Sequence, residues 1–124
     1  TYADDARRFE VATIPYQDMV GMDSSLELLH EIGLDVVAAR IHSLAGRLVD
    51  GIAAIPALSL VTPRDPKRRA GIVSFHARAA EAISARLNAN RVSHSIRGGG
   101  VIRLAPHIYN TEQEIDRVLA LLNG

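Results

Sequence analysis

The chain has 124 residues, with 14 basic against 14 acidic side chains, and a formal net charge of zero excludes a dedicated nucleic-acid binder that must neutralise phosphates. With 48% hydrophobic and 23% charged residues it has apolar material for a core and is not intrinsically disordered. Without cysteine it has no disulfide framework, thiolate metal site or cysteine nucleophile; without an apolar run near the roughly 20 residues that span a bilayer, and without a signal-peptide pattern, the expected location is cytoplasmic.

Thr1 to Gly21 shows no clear period and mixes charges with Pro15, two tyrosines and Phe9, so it reads as an extended arm that needs another surface to lie against. From Asp23 the pattern turns helical. Ser24 and Glu27 have capping-box spacing, Leu26, Leu29 and Ile32 recur at helical intervals, and Gly33 stands where a left-handed cap belongs. A longer helix follows from about Asp35, with Val37, Ile41, Leu44, Leu48 and Ile52 on one stripe, and ends before Pro56.

Ala57 to Thr62 alternates as a strand and stops at Pro63; the polar segment Pro63 to Arg69 is a solvated loop. Gly71 to His76 is a central strand and Ala77 to Ala89 a helix built on Ala80, Ile83 and Leu87. Arg91 to Arg97 and Val101 to Ala105 are strands joined by Gly98-Gly99-Gly100. A second capping box, Thr111 to Glu114, opens a last helix with Ile115, Val118, Leu119 and Leu122 on its stripe. This order predicts an α+β fold, a small, largely antiparallel sheet with helices on one face. The expected organisation is an arm over residues 1–22, linking helices over 23–55 and a small α+β domain over 56–124.

Among polar residues, Arg103 is the first candidate for binding chemistry. Ile102 and Leu104 share one face of their strand and Arg103 takes the other. A guanidinium fork on a rigid strand suits bidentate capture of a carboxylate, although spacing alone favours an ordinary exposed arginine, the commoner case. The glycine triplet lacks the strand-to-helix setting and following Lys-Ser or Lys-Thr of a phosphate loop, and reads as a hairpin. The five histidines, at 30, 42, 76, 94 and 107, include no HExxH pattern and no pair at close metal-ligand spacing, so no metal site is expected. Lys67, the only lysine, lies among Pro66, Arg68 and Arg69 in a solvated loop, whereas a Schiff-base lysine needs a desolvated pocket.

The run Ile102-Arg103-Leu104-Ala105-Pro106-His107-Ile108-Tyr109-Asn110-Thr111-Glu112-Gln113-Glu114-Ile115-Asp116 resembles the closing motif of class V aminotransferase-like enzymes, which are fold-type I, pyridoxal-phosphate-dependent proteins. Arg8-Phe9-Glu10-Val11-Ala12-Thr13 resembles the family's Arg-Phe-Glu-x-Gly-Thr segment, with Ala12 in place of its glycine. Leu28 to Gly33 resembles the helix that follows, and Gly71-Ile72-Val73-Ser74-Phe75 the family's Gly-Ile-Val-Ser-Phe strand.

The resemblance implies the C-terminal small domain of a larger, homodimeric enzyme. Its large domain, with the lysine that holds pyridoxal 5'-phosphate, lies upstream, and this chain alone is expected to be inactive. By resemblance Arg103 binds the α-carboxylate of an amino-acid substrate and Thr13 reaches the cofactor phosphate of the neighbouring subunit; Arg97 is expected to line the same cleft. No residue of this chain is expected to be catalytic, and neither nucleic acid nor membrane is an expected partner. The implied reaction is amino transfer, with C–S lyase and epimerase chemistry as alternatives. Desulfurase activity is disfavoured, because one desulfurase group carries its acceptor cysteine in the loop that here reads Arg97-Gly98-Gly99-Gly100. The rival reading is a standalone α+β ligand-binding or dimerisation module.

Overall fold

A computed structural model describes residues 3–9 and 15–124. The chain divides into two compact units, Thr1–Leu34 and Asp35–Gly124.

The first unit holds a short 3-10 turn, Ala6–Phe9, and helix α1, Tyr16–Ile32. The helix starts seven residues before the expected Asp23, a correction to both the arm and the first capping box: Ser24 lies in mid-helix and caps nothing. The reason is local. Pro15 pre-sets the chain for a first turn, its carbonyl accepts the Met19 N–H at 3.1 Å, and Asp18 complements the helix dipole. Gly33, at φ 93°, ends the helix, and its N–H reaches the carbonyls of Leu29 and His30. No residue of α1 is buried, and Tyr16, Met19, Val20, Met22, Leu26 and Leu28 are all exposed.

The second unit runs α2 (Leu34–Ala53, its first residue in the preceding unit), β1 (Leu58–Leu60), β2 (Val73–Ala77), α3 (Ala80–Ala89), β3 (Ser95–Arg97), β4 (Val101–Leu104) and α4 (Glu112–Asn123). The strands form one antiparallel sheet of order β1-β2-β4-β3. Since β2 and β3 both oppose β4, they run parallel, with α3 as their crossover and β4 inserted between them. The α+β architecture expected from the alternation of strand and helix patterns is the one observed. Val73, Phe75, Ile102 and Leu104 point to one face. There they meet Leu44, Leu48 and Ile52 of α2, Ile83 and Leu87 of α3, and Ile115, Val118 and Leu122 of α4 in a single core.

Packing between α2 and α4 is close. A Cβ on Gly51 would stand 2.4 Å from Leu119 Cδ1, so glycine is what permits the approach. Beside this contact Arg47 forms a two-point pair with Asp116, Nε to Oδ1 at 2.6 Å and Nη2 to Oδ2 at 2.8 Å. Arg40 donates to the Asn110 carbonyl at 2.9 Å and to Glu112 at 3.3 Å. The second capping box is complete. Thr111 Oγ1 accepts the Glu114 N–H at 3.2 Å, while Glu114 Oε2 accepts the Thr111 N–H at 2.8 Å.

Helix α3 closes differently. The Val92 N–H reaches the Leu87 carbonyl at 2.9 Å and the Arg91 N–H reaches Asn88 at 3.0 Å, the pattern of a Schellman motif. Its left-handed position, normally a glycine, is Arg91 at φ 58°, a conformation that costs an L-residue about 1–2 kcal/mol.

Candidate functional site

Helices cover one face of the sheet, and the strand residues of the other face form the candidate site. Because Ile102 and Leu104 are buried, alternation puts Arg103 on the open side. Pairing then dictates its neighbours. Ser74 of β2 stands opposite on one side and Ser95 of β3 on the other. The next row of the same face reads Ser59, His76, Val101, Arg97. Cross-strand residues lie about 4.5–5.5 Å apart at Cβ, so the two serines flank the stem of Arg103 on both sides.

The electrostatics of this face are one-sided. Its strand residues include two guanidiniums and an imidazole but no carboxylate. Among the described residues Arg103 makes no ion pair. Two exposed acids of α4 are engaged elsewhere. Arg47 holds the Asp116 carboxyl below its ordinary pKa by a direct hydrogen bond, and Glu114 is lowered chiefly by the Thr111 N–H and then by Asn110. Arg103 is thus a half-buried arginine on an inner strand, flanked by two serines and, among the described residues, without a counter-ion.

The sequence candidates are therefore placed as follows. Arg103 and Arg97 lie on the same open face, on neighbouring strands. Thr13 lies outside the described residues. Lys67 is exposed in a 3-10 turn, Pro66–Arg68, within the loop between β1 and β2. Among the described residues no cluster of three or more His, Asp or Glu is placed to hold a metal. Ser74 lies in the Gly71-Ile72-Val73-Ser74-Phe75 run but was not singled out as a site residue, and Ser95 was marked by no motif. Only the strand register brings them to Arg103.

One polar pair imitates a catalytic dyad. Ser84 Oγ lies 2.7 Å from His94 Nε2, and His94 Nδ1 lies 2.9 Å from the Val92 carbonyl, so the ring donates to Val92 and accepts from Ser84. Ser84 is buried on the core side of α3, and no carboxylate backs the imidazole. The pair ties α3 to the segment entering β3.

The family described as kynureninase C-terminal domain matches residues 37–122, from the first turns of α2 to the end of α4. This chain belongs to that family. A probable cysteine desulfurase of Streptomyces coelicolor is 31% identical over 75 residues, which cover 60% of this chain and 18% of that protein. An apo cysteine desulfurase from Thermococcus onnurineus superposes with a TM-score of 0.83 at 21% identity, over 99% of this chain and 34% of its own. The cystine C–S lyase C-DES, solved with its reaction product cysteine persulfide, gives 0.79 at 28% identity over 98% of this chain and 32% of its own. A variant of C-DES has glycine covalently linked to its PLP cofactor. The chain thus spans about a third or less of the length of these relatives. The likeness confirms the class V aminotransferase-like, fold-type I architecture expected from the closing motif.

Proposed function

We propose that this chain is the small C-terminal part of a pyridoxal-phosphate-dependent enzyme acting on an amino acid, in which Arg103 receives the substrate α-carboxylate. The observation that carries the reading is the open sheet face, with Arg103 set between Ser74 and Ser95 and no strand carboxylate to compete.

When bound, the cofactor supplies an electron sink for the charge that develops at the amino acid's Cα. The described residues offer no cradle for it, since the single lysine is exposed in a loop remote in sequence from the sheet-face arginines. The cofactor would sit against the rest of the enzyme, with Thr13 as the one contribution expected from this chain. What this chain does is bind and orient. Two parallel N–H donors of the Arg103 guanidinium fix the carboxylate plane, and a fixed plane sets which Cα bond is aligned for cleavage. Arg103 moves no proton. The flanking serines limit the rotamers open to its stem.

Upstream domain and second copy belong to the same proposal. The apolar residues of α1 are uncovered, and the relatives are about three times as long as this chain. A large domain supplied by the rest of the protein would bury that surface, with a homodimer bringing Thr13 to the neighbouring cofactor. As to reaction type, the named relatives favour cleavage at sulfur over amino transfer. The chain has no cysteine to carry sulfur, so release on a small molecule, as in the C–S lyase, fits these residues better than relay through a thiol of this chain.

The test is expression with the coding sequence naturally upstream, followed by addition of pyridoxal phosphate and a visible spectrum before and after borohydride. A visible band that borohydride fixes onto a lysine supports the proposal; its absence overturns it in favour of a standalone binding module. In the loaded enzyme, Arg103→Gln should lower kcat/KM for amino acids by about 10- to 100-fold, the loss of a charge-assisted two-point contact, and Arg103→Lys should recover only part of it.

A further inference from the structure

On the helix side of the sheet, opposite the face that carries Arg103, a pocket of about 300 Å³ opens between the end of β4, α4 and the turn after α3. Its floor is apolar: Leu48, Leu104, Ile115 and Val118 line it, and each belongs to the core. Its rim carries two guanidiniums, Arg91 and Arg117. Apolar floor and charged rim together make an amphipathic receptacle at the small end of the ligand-pocket range.

Arg117 is held at the rim by a hydrogen bond, and Arg91 is set beside it by the backbone of the turn. Arg117 donates Nη2 to the Asn90 carbonyl at 3.1 Å, which fixes its fork beside the end of α3. Arg91 follows immediately, in the left-handed position of the Schellman turn at φ 58°, where glycine relieves strain and a side chain costs stability. Among the described residues Arg91 makes no ion pair. Glu114, the one carboxylate of the lining, is occupied: its Oε2 accepts from the Thr111 N–H at 2.8 Å and from Asn110 Nδ2 at 3.2 Å. Two guanidiniums against one carboxylate leave a single net positive charge at the rim.

We propose that this pocket binds a small organic monocarboxylate with an apolar body, the carboxylate on Arg91 and Arg117 and the body on the Leu48, Leu104, Ile115 and Val118 floor. A monoanion matches the net charge, and the floor offers an organic body apolar contact that a bare inorganic anion cannot use. The site uses none of the open-face residues assigned to the amino-acid carboxylate above, so it stands or falls apart from that reading.

The experiment titrates the full chain with 3-phenylpropanoate and, separately, with its neutral amide, following backbone amide shifts. Shifts concentrated at Val92, Ser93, Leu104, Ile115 and Val118, with a Kd of about 1 mM or tighter and binding of the amide about tenfold weaker, support the site. Arg91→Gln should weaken the acid by a similar factor. Arg91→Gly should do the same while raising Tm, since it removes strain and ligand contact together. Equal binding of acid and amide, shifts centred on Ser74, Ser95 and Arg103 or scattered along α1, or an unchanged Kd in Arg91→Gln, would each overturn the proposal.

Discussion

The hairpin that delivers β4 offers a sharp test of how the sheet is held. Gly98, Gly99 and Gly100 connect β3 to β4, but their surroundings differ. Gly99 and Gly100 have φ of 78° and 77°, while Gly98 is not in the left-handed region. A Cβ on Gly98 or Gly99 meets nothing within 4 Å; on Gly100 it would stand 2.8 Å from the Ala77 carbonyl oxygen and 3.7 Å from Ala80 Cβ. The same glycine accepts the Ala77 N–H at 3.0 Å, so it cannot retreat without breaking that bond. Gly98→Ala should therefore be neutral within about 0.5 kcal/mol. Gly99→Ala should cost about 1–2 kcal/mol for the left-handed backbone alone. Gly100→Ala should add about 1–2 kcal/mol for the strained contact and weakened hydrogen bond, or about 2–4 kcal/mol in total. In thermal unfolding of the second unit, at about 5 °C per kcal/mol, these correspond to Tm falls of about 5–10 °C for Gly99→Ala and about 10–20 °C for Gly100→Ala. Equal effects at positions 99 and 100 would refute the claim that the Ala77 carbonyl, rather than φ, sets the difference.

Three further outcomes are expected. Thr111→Ala removes one half of the capping box on α4 and should cost about 1 kcal/mol, read from the urea midpoint. Asp116 has a folded pKa below its unfolded value, held there chiefly by the Arg47 hydrogen bond, so its contribution is complete above the unfolded carboxylate range and is lost as pH falls through the folded pKa. Asp116→Asn should accordingly flatten the fall in urea midpoint between about pH 5 and pH 2 while leaving the shape of the curve above it unchanged. Gly51→Ala should destabilise by about 1–3 kcal/mol through the Leu119 contact, and Leu119→Ala should relieve most of that penalty in a double-mutant cycle; strict additivity would show that the helices simply move apart.

What could be read in the sequence was what local chemistry decides. Thr111 and Glu114 cap a helix because both halves of the motif lie within four residues, and alternation put Ile102 and Leu104 on one side of β4 before any partner was known. The same local reasoning failed at Ser24, where capping-box spacing occurs inside a helix that Pro15 and Asp18 had already started. A cap acts only where backbone donors are free, and the pattern alone does not reveal whether they are. The placing of Ser74 and Ser95 beside Arg103 was missed for a different reason. Each lies more than five residues from Arg103 in sequence, and only the pairing of three strands makes them neighbours. Arg91 broke the expectation of glycine after a helix, and Asn90-Arg91 carries no turn signal strong enough to predict a left-handed residue.

The role proposed for Arg103 makes a demand on the strand that carries it. Substrate orientation by a guanidinium fails if the side chain drifts by about 1 Å, so its mount must be stiff. Here β4 is an inner strand, bonded on one side to β2 and on the other to β3, with Ile102 fully buried beneath. Immediately beyond it Pro106 is buried, and the His107 N–H donates to Asn110 Oδ1 at 2.9 Å. The Asn110 carbonyl in turn receives Arg40 from α2, and Thr111 caps α4. The residues after Arg103 in the closing motif thus pin the C-terminal end of its strand to two helices. Tyr109, exposed and stacked on His107 at 5.2 Å, is the residue of that run whose ring this anchoring does not use. In this reading the motif is one arginine and the hydrogen-bonded turn that keeps it still.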